Sequence, residues 1–336
     1  MRKFQKIFIV LICLLGLQTV NAEWVKQNSN TLAWLRDVYF LNEKTGWISG
    51  SGGTFLKTED GGKSWSQNEK FTDDNILQIF FADSNNGFLL CERNVYSLGT
   101  KMPSYLLKTS DGGKNWEHIE FAESGRGRIT KFLFDAYGTG FAFGEAGTFY
   151  KLANTENDWK KTSSPTRYLL FDGVFNDQTN GVVVGAGGTI LFTNDAGSSW
   201  NQANIFGDKT AKLNAVWFSG QKNGWTVGNN GKIFQTISGG KTWREQNSGI
   251  TKNLNGVFFI NSAEGFAVGD DGVILHTKTA GNVWTVENSK AAHKLEKVYF
   301  VGKKGFAVGF GGTVLTFDEK EKDEKIQIKP SLQRRN

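Results

Sequence analysis

Cysteine, proline and methionine are all scarce in this sequence of 336 residues, which has 2 Cys, 3 Pro and 2 Met. So few cysteines exclude a framework of several disulfides, and the fold must be stable through packing alone. Glycine and aromatic residues are abundant instead, with 41 Gly, 27 Phe and 11 Trp. This composition favours turn-rich β structure, and no stretch before the C-terminal tail shows the sustained apolar period of a helix.

The sequence also lacks an apolar run long enough to cross a membrane. The run from Ile7 to Leu17 is shorter than the about 20 residues that a bilayer core requires. Basic residues precede it and small residues follow it, so residues 1–22 are predicted to be a secretory signal that is cleaved after Ala22. We therefore expect export to the periplasm or the extracellular space, without an integral membrane anchor.

A large excess of one charge is missing as well. The leader contains three of the 39 basic residues and no acidic one, so the mature chain would have a net charge of about +3. Nucleic-acid binding is not expected, because it needs a clustered cationic face. Cys13 would be lost with the leader, and Cys91 is predicted to be a buried, unreactive side chain.

Metal and cofactor chemistry find little support in the residue pattern. The three histidines, His118, His276 and His293, lie in different repeats, and no Cys or His pair has metal-ligand spacing. Glycine-rich strings such as Gly185–Gly188 do not open helices, so we interpret them as hairpin turns and not as phosphate-binding loops. We predict no metal and no cofactor.

A repeat of roughly forty residues occupies most of the chain. Its mark is a glycine followed by an aromatic residue or valine, and successive marks lie 41, 53, 41, 43, 41 and 40 residues apart. The marked glycines are Gly46, Gly87, Gly140, Gly181, Gly224, Gly265 and Gly305. Each copy fits four short strands, and this period is typical of a propeller blade. The sequence thus predicts an all-β, seven-bladed β-propeller of four-stranded antiparallel blades over residues 23–317.

The fifth copy shows the pattern of one blade most clearly. Its first strand alternates apolar residues within residues 213–218, and its second follows the glycine mark. Gly228 and Gly231 are predicted to adopt the positive φ of a tight hairpin turn. The third strand is predicted to end at Thr236 and the fourth to begin at Trp243.

The seventh copy ends without the tryptophan of its fourth strand. The missing segment is at the other end of the chain, where WVKQNS (24–29) matches WREQNS (243–248) and WTVENS (284–289). We therefore predict that the strand beginning at Trp24 lies beside the strand near Phe317 and closes the ring. Residues 318–336 are charged and without an apolar pattern, and we predict that this tail is disordered.

Three copies carry a Thr-x-Asp-x-Gly-x-x-Trp motif before the fourth strand. The residues concerned are Asp60 and Trp65, Asp111 and Trp116, and Asp195 and Trp200; two further copies keep Trp243 and Trp284 but have Ser238 and Thr279 at the aspartate position, and the third keeps only Trp159. The motif looks like the Asp-box, or BNR repeat, of sialidase-type propellers. We interpret the aspartate as an acceptor for N–H groups of its own turn and the tryptophan as a plug between blades, both structural.

Across residues 24–317, the repeated VG-x-x-G-x-(I/L)-x-x-T-x-D-G-G-K-x-W string is similar to the photosystem II assembly and stability factor family. That resemblance implies a seven-bladed propeller of the thylakoid lumen or periplasm with an arginine-rich strip beside the linkers into successive blades. The matching residues here are Arg36, Arg126, Arg128, Lys131 and Arg167. They are sparser than the family's strip, and we predict that they form a basic patch that binds a protein or peptide partner. The alternative that these cations only solvate loops stays open.

The second copy contains about twelve extra residues between Leu90 and Tyr105. They are predicted to extend a loop that contributes Arg93, Tyr96, Lys101 and Tyr105 to the same surface.

The competing functional hypothesis is a glycoside hydrolase or sialidase-like enzyme, because Asp-box propellers include such hydrolases. Its chemistry requires two placed acidic groups, or a tyrosine nucleophile with a carboxylate base. The available residues are Tyr137, Tyr150, Tyr168, Tyr299 and Glu145. Apart from the loop of copy two, no element departs from the repeat as an inserted catalytic residue usually does. The favoured prediction is a monomeric, non-catalytic scaffold for an envelope or secreted partner.

Overall fold

The computed structural model describes residues 23–94, 102–121, 127–135, 138–152 and 158–318. Within these ranges the regular structure consists of 29 β-strands and five short 3₁₀ turns, and the strands form seven sheets. The predicted all-β, seven-bladed propeller is therefore confirmed. The predicted leader and the tail beyond Asp318 lie outside the described residues.

Each blade runs from an inner strand to an outer strand in chain order. Blade 1 contains β2 (Leu35–Phe40), β3 (Gly46–Gly50), β4 (Phe55–Thr58) and β5 (Ser66–Gln67). Blade 2 contains β6 (Asn75–Phe81), β7 (Gly87–Glu92), β8 (Ser104–Thr109) and β9 (Glu117–Glu120). Blade 3 contains β10 (Ile129–Phe134), β11 (Gly140–Gly144), β12 (Phe149–Leu152) and β13 (Trp159–Thr162). Blade 4 contains β14 (Leu170–Phe175), β15 (Gly181–Gly185), β16 (Ile190–Thr193) and β17 (Asn201–Gln202).

The remaining three blades depart from this plan at two places. Blade 5 contains β19 (Leu213–Ser219), β20 (Asn223–Gly228), β21 (Ile233–Thr236) and β22 (Thr242–Gln246), with β18 (Asn204–Phe206) added at its outer edge. Blade 6 contains β23 (Leu254–Phe259), β24 (Gly265–Gly269), β25 (Ile274–Thr277) and β26 (Thr285–Glu287). Blade 7 contains β27 (Leu295–Val301), β28 (Lys304–Gly309) and β29 (Thr313–Asp318), and its outer strand is β1 (Glu23–Gln27).

The two ends of the described chain meet in blade 7. Strand β1 pairs antiparallel with β29, and Trp24 lies opposite Phe317. The Trp24 side chain is 1% exposed and packs against Phe266 and Phe300 from blades 6 and 7. The predicted ring closure is confirmed. Strand β29 ends at Asp318, one residue beyond the predicted boundary.

Strand β18 was not anticipated from the repeat. It follows directly after β17 of blade 4, but it pairs in parallel with β22 of blade 5, with Ile205 opposite Trp243. Ala203, between the two strands, bonds back to blade 4 through its N–H group, which donates to the Ile190 carbonyl at 2.8 Å. Residues 201–206 thus join two neighbouring blades along their outer edges.

The turns between second and third strands lie against the linkers that enter the inner strands. The Asn229 N–H, for example, donates to the Lys212 carbonyl at 2.9 Å. Gly231 adopts the predicted positive φ of +68°, whereas Gly228 is extended at −162°, so that part of the turn prediction was wrong. Gly228 is required for a different reason, because a Cβ there would collide with the Lys212 carbonyl.

We call this side of the ring the mouth face. It consists of the turns between second and third strands and of the linkers at residues 28–34, 68–74, 127–128, 163–169, 207–212, 247–253 and 288–294. The opposite side contains the Asp-box turns, which bond to the turns between first and second strands. There the Gly61 N–H donates to the Lys44 carbonyl at 2.9 Å.

The Asp-box side chains organise their own turns, as predicted. Asp60 Oδ1 accepts the N–H groups of Lys63 at 2.9 Å and Ser64 at 3.0 Å. The same kind of bonding, led by the side chain of Ser199, lowers the pKa of Asp195 to about 2. Where serine replaces the aspartate, Ser238 Oγ accepts the Thr242 N–H at 3.0 Å. A hydroxyl therefore performs the same local function as the carboxylate.

This equivalence predicts different outcomes for two substitutions at Asp195. Asp195→Ala removes the acceptor of the Ser199 N–H group and should lower the stability by about 1–2 kcal/mol. Asp195→Ser should recover most of that loss, because Ser238 holds the corresponding turn of blade 5. Thermal unfolding of the three proteins checks the prediction. Equal losses for alanine and serine would contradict it.

Candidate partner-binding face and central channel

All seven inner strands share one feature near their start. Six of them start with a buried Leu or Ile, and β6 has one residue, Asn75, before its buried Ile76. In each strand the register to the second strand shifts at the residue after this Leu or Ile, which is a β-bulge, and positions are counted from this Leu or Ile. The residues at this bulge position are Arg36, Leu77, Thr130, Phe171, Asn214, Asn255 and Glu296, and the third-position residues are Asp37, Gln78, Lys131, Asp172, Ala215, Gly256 and Lys297. Thirteen of these fourteen, all except Gly256, line one cavity together with Glu92, Arg128, Lys212 and Lys294.

Polar residues at the bulge positions connect several blades to their neighbours. The Asn214 side-chain amide donates to the Leu254 carbonyl at 2.8 Å, and Asn255 donates to the Leu295 carbonyl at 3.0 Å. At the junction of blades 7 and 1, the bridge is an ion pair of 3.4 Å between Arg36 and Glu296. Polar residues at this position therefore bond the inner strands of neighbouring blades together.

The third positions form a second layer of bonds between blades. Asp37 Oδ2 accepts the Ile79 N–H of blade 2 at 2.9 Å, and Asp172 Oδ2 accepts the Val216 N–H of blade 5 at 2.9 Å. Between them, Gln78 forms a paired bond with the backbone of blade 3. The inner strands of different blades belong to separate sheets and, among the described residues, do not exchange backbone hydrogen bonds. These side chains join the blades instead.

Four charged groups, two aspartates and two lysines, occupy this second layer. Lys131 Nζ lies 2.9 Å from Asp172 Oδ1, and both side chains are largely buried. Burial alone would raise the pKa of Asp172, but the charges of Lys131 and Lys297 hold it below its ordinary value. Burial raises the pKa of Asp37. Burial and the charge of Lys131 lower the pKa of Lys297.

The cavity has a volume of about 320 Å³ and lies where the inner strands meet the mouth face. Its charged lining comprises the cations Arg36, Arg128, Lys131, Lys212, Lys294 and Lys297 and the carboxylates Asp37, Glu92, Asp172 and Glu296. Six cations therefore face four carboxylates. Phe171 and Leu77 give the wall its apolar part. The site is a charged, open channel with an excess of cationic groups.

Aromatic side chains take over at the fifth position of the inner strands. Five of the seven residues there, Tyr39, Phe80, Trp217, Phe258 and Tyr299, are aromatic. Their rings touch across blade boundaries: Trp217 stacks on Phe258 at 4.1 Å, and Phe258 lies 5.5 Å from Tyr299. The half of the inner strands away from the mouth face is therefore apolar, and the charged groups are confined to the other half.

The predicted basic patch is divided by the structure. Arg36 and Arg128 line the same cavity. Lys131 lies deeper and is paired with Asp172. Arg167 is exposed on the linker into blade 4 and is not part of the cavity lining. Arg126 lies outside the described residues. The patch as a partner-binding surface stays a prediction.

The sequence suggested that Arg36 lies on a loop, but the structure places it in a strand. It is the second residue of strand β2 and corresponds to Thr130, whereas the residue that corresponds to Arg128 is Trp34. The Arg36 guanidinium stacks on the Trp34 ring at 3.6 Å. Burial lowers the pKa of Arg36, an effect that Glu296 partly opposes. The position of Arg36 could not be predicted, because a β-bulge in an inner strand has no recognisable residue pattern within a single copy.

The insertion of copy two lengthens β7 and β8 until Glu92 pairs with Ser104. Glu92 thereby reaches the channel, where it forms an ion pair of 3.0 Å with Arg128. Arg93 is buried, stacks over the Tyr105 ring at 4.5 Å and bonds to Glu120 at 2.5 Å. Arg93 and Tyr105 therefore pack on each other at the base of the insertion, and their predicted contact with a partner stays a prediction. Tyr96 and Lys101 lie outside the described residues.

Two of the four tyrosines that a hydrolase could use, Tyr150 and Tyr299, are poorly placed for nucleophilic attack. Tyr150 is fully buried. Tyr299 donates its hydroxyl to the Phe40 carbonyl at 3.2 Å, and burial raises its pKa to about 12. Tyr168 is 57% exposed, on the mouth face. Tyr137 lies outside the described residues.

The carboxylates at the channel mouth are bound to arginines. Glu92 pairs with Arg128 and Glu296 pairs with Arg36. Glu145 lies 3.3 Å from the Arg128 guanidinium and also accepts the Arg128 N–H at 3.0 Å. Paired carboxylates of this kind are suited to holding arginines in place.

In the described part of the chain, no group of three or more His, Cys, Asp and Glu side chains is arranged to hold a metal ion. His118 lies beside Tyr105, and His276 bonds to Glu264 at 2.9 Å and to Glu287 at 3.0 Å. Cys91 is buried, as predicted, and burial raises the pKa of its thiol. Among the described residues there is no helix with the length and apolar character of a membrane span.

Several channel residues escaped the sequence reasoning. They are Trp34, Asp37, Asp172, Lys212, Lys294, Glu296 and Lys297. A signal for most of them was present, because the second and third residues of the inner strands are the places where polar side chains interrupt an otherwise apolar segment. Aligning LRDVYF, LFDGVF and LEKVYF shows the charges at equivalent positions.

The whole fold is similar to solved propellers. The structure described as "YCF48 bound to D1 peptide" superposes with a TM-score of 0.72 at 19% identity, covering 90% of this chain and 97% of that one. YCF48 from Cyanidioschyzon merolae gives a TM-score of 0.71 at 18% identity, covering 88% and 99%. The GH74 enzyme of Niastella koreensis gives 0.66 at 16% identity, covering 85% of this chain and 52% of that chain.

Comparison of the sequence with known families shows which group of propellers this chain belongs to. No curated protein sequence matches the chain. A family model described as photosynthesis system II assembly factor YCF48 matches residues 17–97, 151–245 and 208–288. Because these segments cover more than half of its length, the chain belongs to the photosynthesis system II assembly factor YCF48 family.

Proposed function

We propose that this chain is an exported, monomeric, non-catalytic propeller that binds a peptide segment of an envelope or secreted protein on its mouth face. The observation that carries the proposal is the exposed pair Arg167 and Tyr168 on the linker into blade 4. Arginine and tyrosine are the residue types that dominate protein interfaces. An exposed tyrosine next to an exposed arginine offers a partner both apolar area and a charged donor.

Further apolar side chains on the same face support a peptide ligand. Leu32 in the linker into blade 1, Phe310 in the turn of blade 7 and Phe206 in strand β18 are all substantially exposed. Two of the aromatic groups lie under arginines: Arg36 covers Trp34, and Arg244 covers Phe206 at 4.8 Å. Alternating cations and aromatic rings suit a peptide that contains both acidic and apolar side chains.

The family supports a peptide as the ligand. One solved YCF48 contains a bound D1 peptide, which is a segment of a protein partner. This chain shares the propeller fold with it. The mouth of this chain has cations on its linkers and inner strands. Export is supported by the predicted leader at residues 1–22. Because loops on a rigid frame commonly provide binding sites, the mouth face is suited to this function.

The proposal that the protein is non-catalytic rests on the interactions of its candidate catalytic side chains. Glu92 and Glu296 at the channel mouth are paired with arginines, and Tyr299 donates its hydroxyl to a carbonyl. The alternative, a glycoside hydrolase, draws on the likeness to the GH74 enzyme, which is a likeness of fold. A screen with chromogenic glycosides distinguishes the two. Hydrolysis of a glycoside that disappears when one carboxylate is substituted would contradict the scaffold proposal and support the hydrolase.

A double substitution of the exposed pair, with charge reversal at Arg167, tests the partner-binding face. Arg167→Glu combined with Tyr168→Ala should weaken binding at least tenfold, because it removes a donor and an aromatic anchor without disturbing a buried contact. The measurement is fluorescence anisotropy with a labelled D1 peptide, together with crosslinking to envelope proteins followed by mass spectrometry.

The matched control is Lys303→Glu, which makes the same kind of charge reversal on the opposite face of blade 7, where Lys303 is exposed. It should leave binding unchanged. Identical binding and identical crosslinked proteins for the wild type, the double variant and the control would refute the mouth face as the binding surface.

A further inference from the structure

The outermost strand of blade 5, β18, has one edge without a neighbour. It pairs with β22 on one side, and the order β18-β22-β21-β20-β19 places it at the end of its sheet. The Asn204 N–H donates to the Lys241 carbonyl at 3.0 Å, and Asn204 lies opposite Thr242 in the parallel register. In a parallel pair every second residue bonds to the neighbouring strand, so Asn204 and Phe206 face β22 and the N–H and C=O groups of Ile205 point to the free edge. No described backbone group pairs with these two groups.

This free edge lacks the protection that the other long outer strands carry. Charged side chains on an edge strand discourage pairing with another chain. Among the described outer-edge strands of three or more residues, β1, β9, β13 and β26 each contain a charged residue, whereas β18 consists of Asn204, Ile205 and Phe206. The remaining outer strands, β5 and β17, have two residues each. Strand β18 is therefore the described edge that is best suited to accept a further strand.

A cavity of about 600 Å³ lies beside β18. All six residues from 202 to 207 line it, together with Gly187 and Gly188 of the blade 4 turn and Lys209 of the following linker. Because successive side chains of a strand point to opposite faces, a cavity that every residue of the strand lines reaches the backbone edge. The volume lies within the range of about 300–1,000 Å³ that is usual for ligand sites. The free edge of β18 therefore has room beside it for a short stretch of chain.

The cavity adjoins the exposed pair Arg167 and Tyr168. A Cβ atom on Gly187 would lie 2.8 Å from the Tyr168 ring, so this ring packs directly against a residue of the cavity wall. Phe206 also lines the cavity; it is 54% exposed and has the Arg244 guanidinium 4.8 Å from its ring. Two exposed aromatic rings therefore border a space that reaches an open strand edge.

The charges around the cavity favour an acidic group on the occupant. Lys209 and Arg244 are exposed, and neither belongs to an ion pair with a described carboxylate. The carboxylates of Asp208 and Glu245 are both paired with Lys232. An acidic side chain of a bound peptide can therefore pair with either free cation without displacing an existing bond.

We propose that an extended segment of the bound peptide pairs with the free edge of β18 as an additional outer strand of blade 5. This inference rests on the proposed function, since it states how the peptide on the mouth face is held. Backbone bonds to Ile205 fix the segment between the rings of Tyr168 and Phe206. An acidic side chain of the segment pairs with Lys209 or Arg244. In this mode of recognition the main-chain bonds supply affinity, and the side-chain contacts supply selectivity.

Removal of the free-edge donor tests the pairing. Ile205→Pro deletes an N–H group that β22 does not use, and proline is tolerated in an edge strand where the N–H faces outward. Ile205→Ala is the matched control, because it also removes most of the buried side chain but keeps the N–H group. In fluorescence anisotropy with the labelled D1 peptide, Ile205→Pro should weaken binding at least tenfold and Ile205→Ala less than threefold. Circular dichroism verifies folding, and equal affinities of the two variants would overturn the proposal.

Hydrogen exchange provides a second measurement on the wild-type protein, which decides the question even if Ile205→Pro does not fold. With ¹⁵N-labelled isoleucine, NMR follows the Ile205 amide, which is assigned through its disappearance in Ile205→Ala. Saturating peptide should slow the exchange of this amide at least tenfold. The amide of Ile237, an exposed residue in the Asp-box turn on the opposite face, should exchange at an unchanged rate. Unchanged exchange at Ile205 would refute the pairing.

The outcomes separate this inference from the proposed function. If Arg167→Glu/Tyr168→Ala loses the peptide while Ile205→Pro binds it as the wild type does, the mouth face is correct and the strand pairing is wrong. If the peptide protects the Ile205 amide and the double variant binds normally, the strand pairing is correct and the role of the exposed pair is wrong. A wild type that binds neither the D1 peptide nor any heptapeptide selected from a random phage library would refute both.

Discussion

Replacing Trp24 with alanine is expected to lower the free energy of unfolding by about 3–5 kcal/mol, the usual loss for a buried tryptophan. Trp24 is 1% exposed, and its ring lies 5.3 Å from Phe317 and 5.8 Å from Phe266. The effect should be large because the same strand also joins the two ends of the ring. Denaturant unfolding followed by tryptophan fluorescence and circular dichroism measures it.

The neighbouring residue provides the control. Val25 lies on the same strand but is 54% exposed, so Val25→Ala should change the stability by no more than about 0.5 kcal/mol. Removing residues 23–29 should cost more than Trp24→Ala, because it removes the five register pairs with β29 as well as the bond from Ser29 Oγ to the Gly312 carbonyl. A chain that starts at Asn30 and unfolds at the same temperature as the full propeller would contradict the closure mechanism.

Replacing Lys131 with methionine is the second change with a large expected effect. The Lys131 and Asp172 side chains are 17% and 10% exposed, and the substitution would leave Asp172 without its ion-pair partner. Breaking a buried pair typically costs about 3–5 kcal/mol, because one charge remains desolvated. Denaturant unfolding at pH 7 gives the loss directly.

A second substitution should rescue this variant. In Lys131→Met/Asp172→Asn the unpaired charge is gone, while the asparagine oxygen can still accept the Val216 N–H. Most of the lost stability should return. Lys160→Met is the control, since it breaks an exposed pair with Asp158 in the same blade and should cost less than about 1 kcal/mol. A small loss for Lys131→Met, or no rescue in the double variant, would contradict the role of this pair.

The same pair sets a pH dependence whose sign can be worked out. In the wild type the folded pKa of Asp172 is lowered, so its contribution is present above the pKa of an unfolded aspartate and is lost as the pH falls through the folded pKa. In Lys131→Met, burial raises the pKa of Asp172, and protonation relieves the buried charge. The stability deficit of the variant should therefore shrink between pH 7 and about pH 4. A deficit that is constant over this range would contradict the assignment.

The architecture could be predicted because its determinants are local and repeated. A positive φ at Gly231, the Asp60 turn and the Trp24 segment each follow from residues within one copy or from copies placed side by side. Seven copies of one repeat leave little freedom for another fold. The prediction for Gly228 was wrong because the sequence shows that a turn needs glycine but does not show whether φ or a close approach is the reason.

The channel could not be predicted in the same way, because its contacts join residues from different blades. Lys131 and Asp172 are separated by one full repeat, and Arg36 and Glu296 meet only when the ring is closed. The sequence identified Arg36, Arg128 and Lys131 as cations of interest but could not show that each has an acidic partner. The parallel strand β18 also depends on a neighbouring blade, and the repeat contains no signal for it.

The position of β1 has a consequence for how the chain order could be altered. Glu23 lies opposite Asp318 at the outer edge of blade 7, so the first and last described residues are next to each other. A short linker between them would turn the propeller into a continuous loop, and new termini could then be placed in an exposed turn such as the one at Lys303. In such a circular permutant the outer strand of blade 7 would be covalently joined to its neighbour, and the closure would no longer depend on the association of two free chain ends.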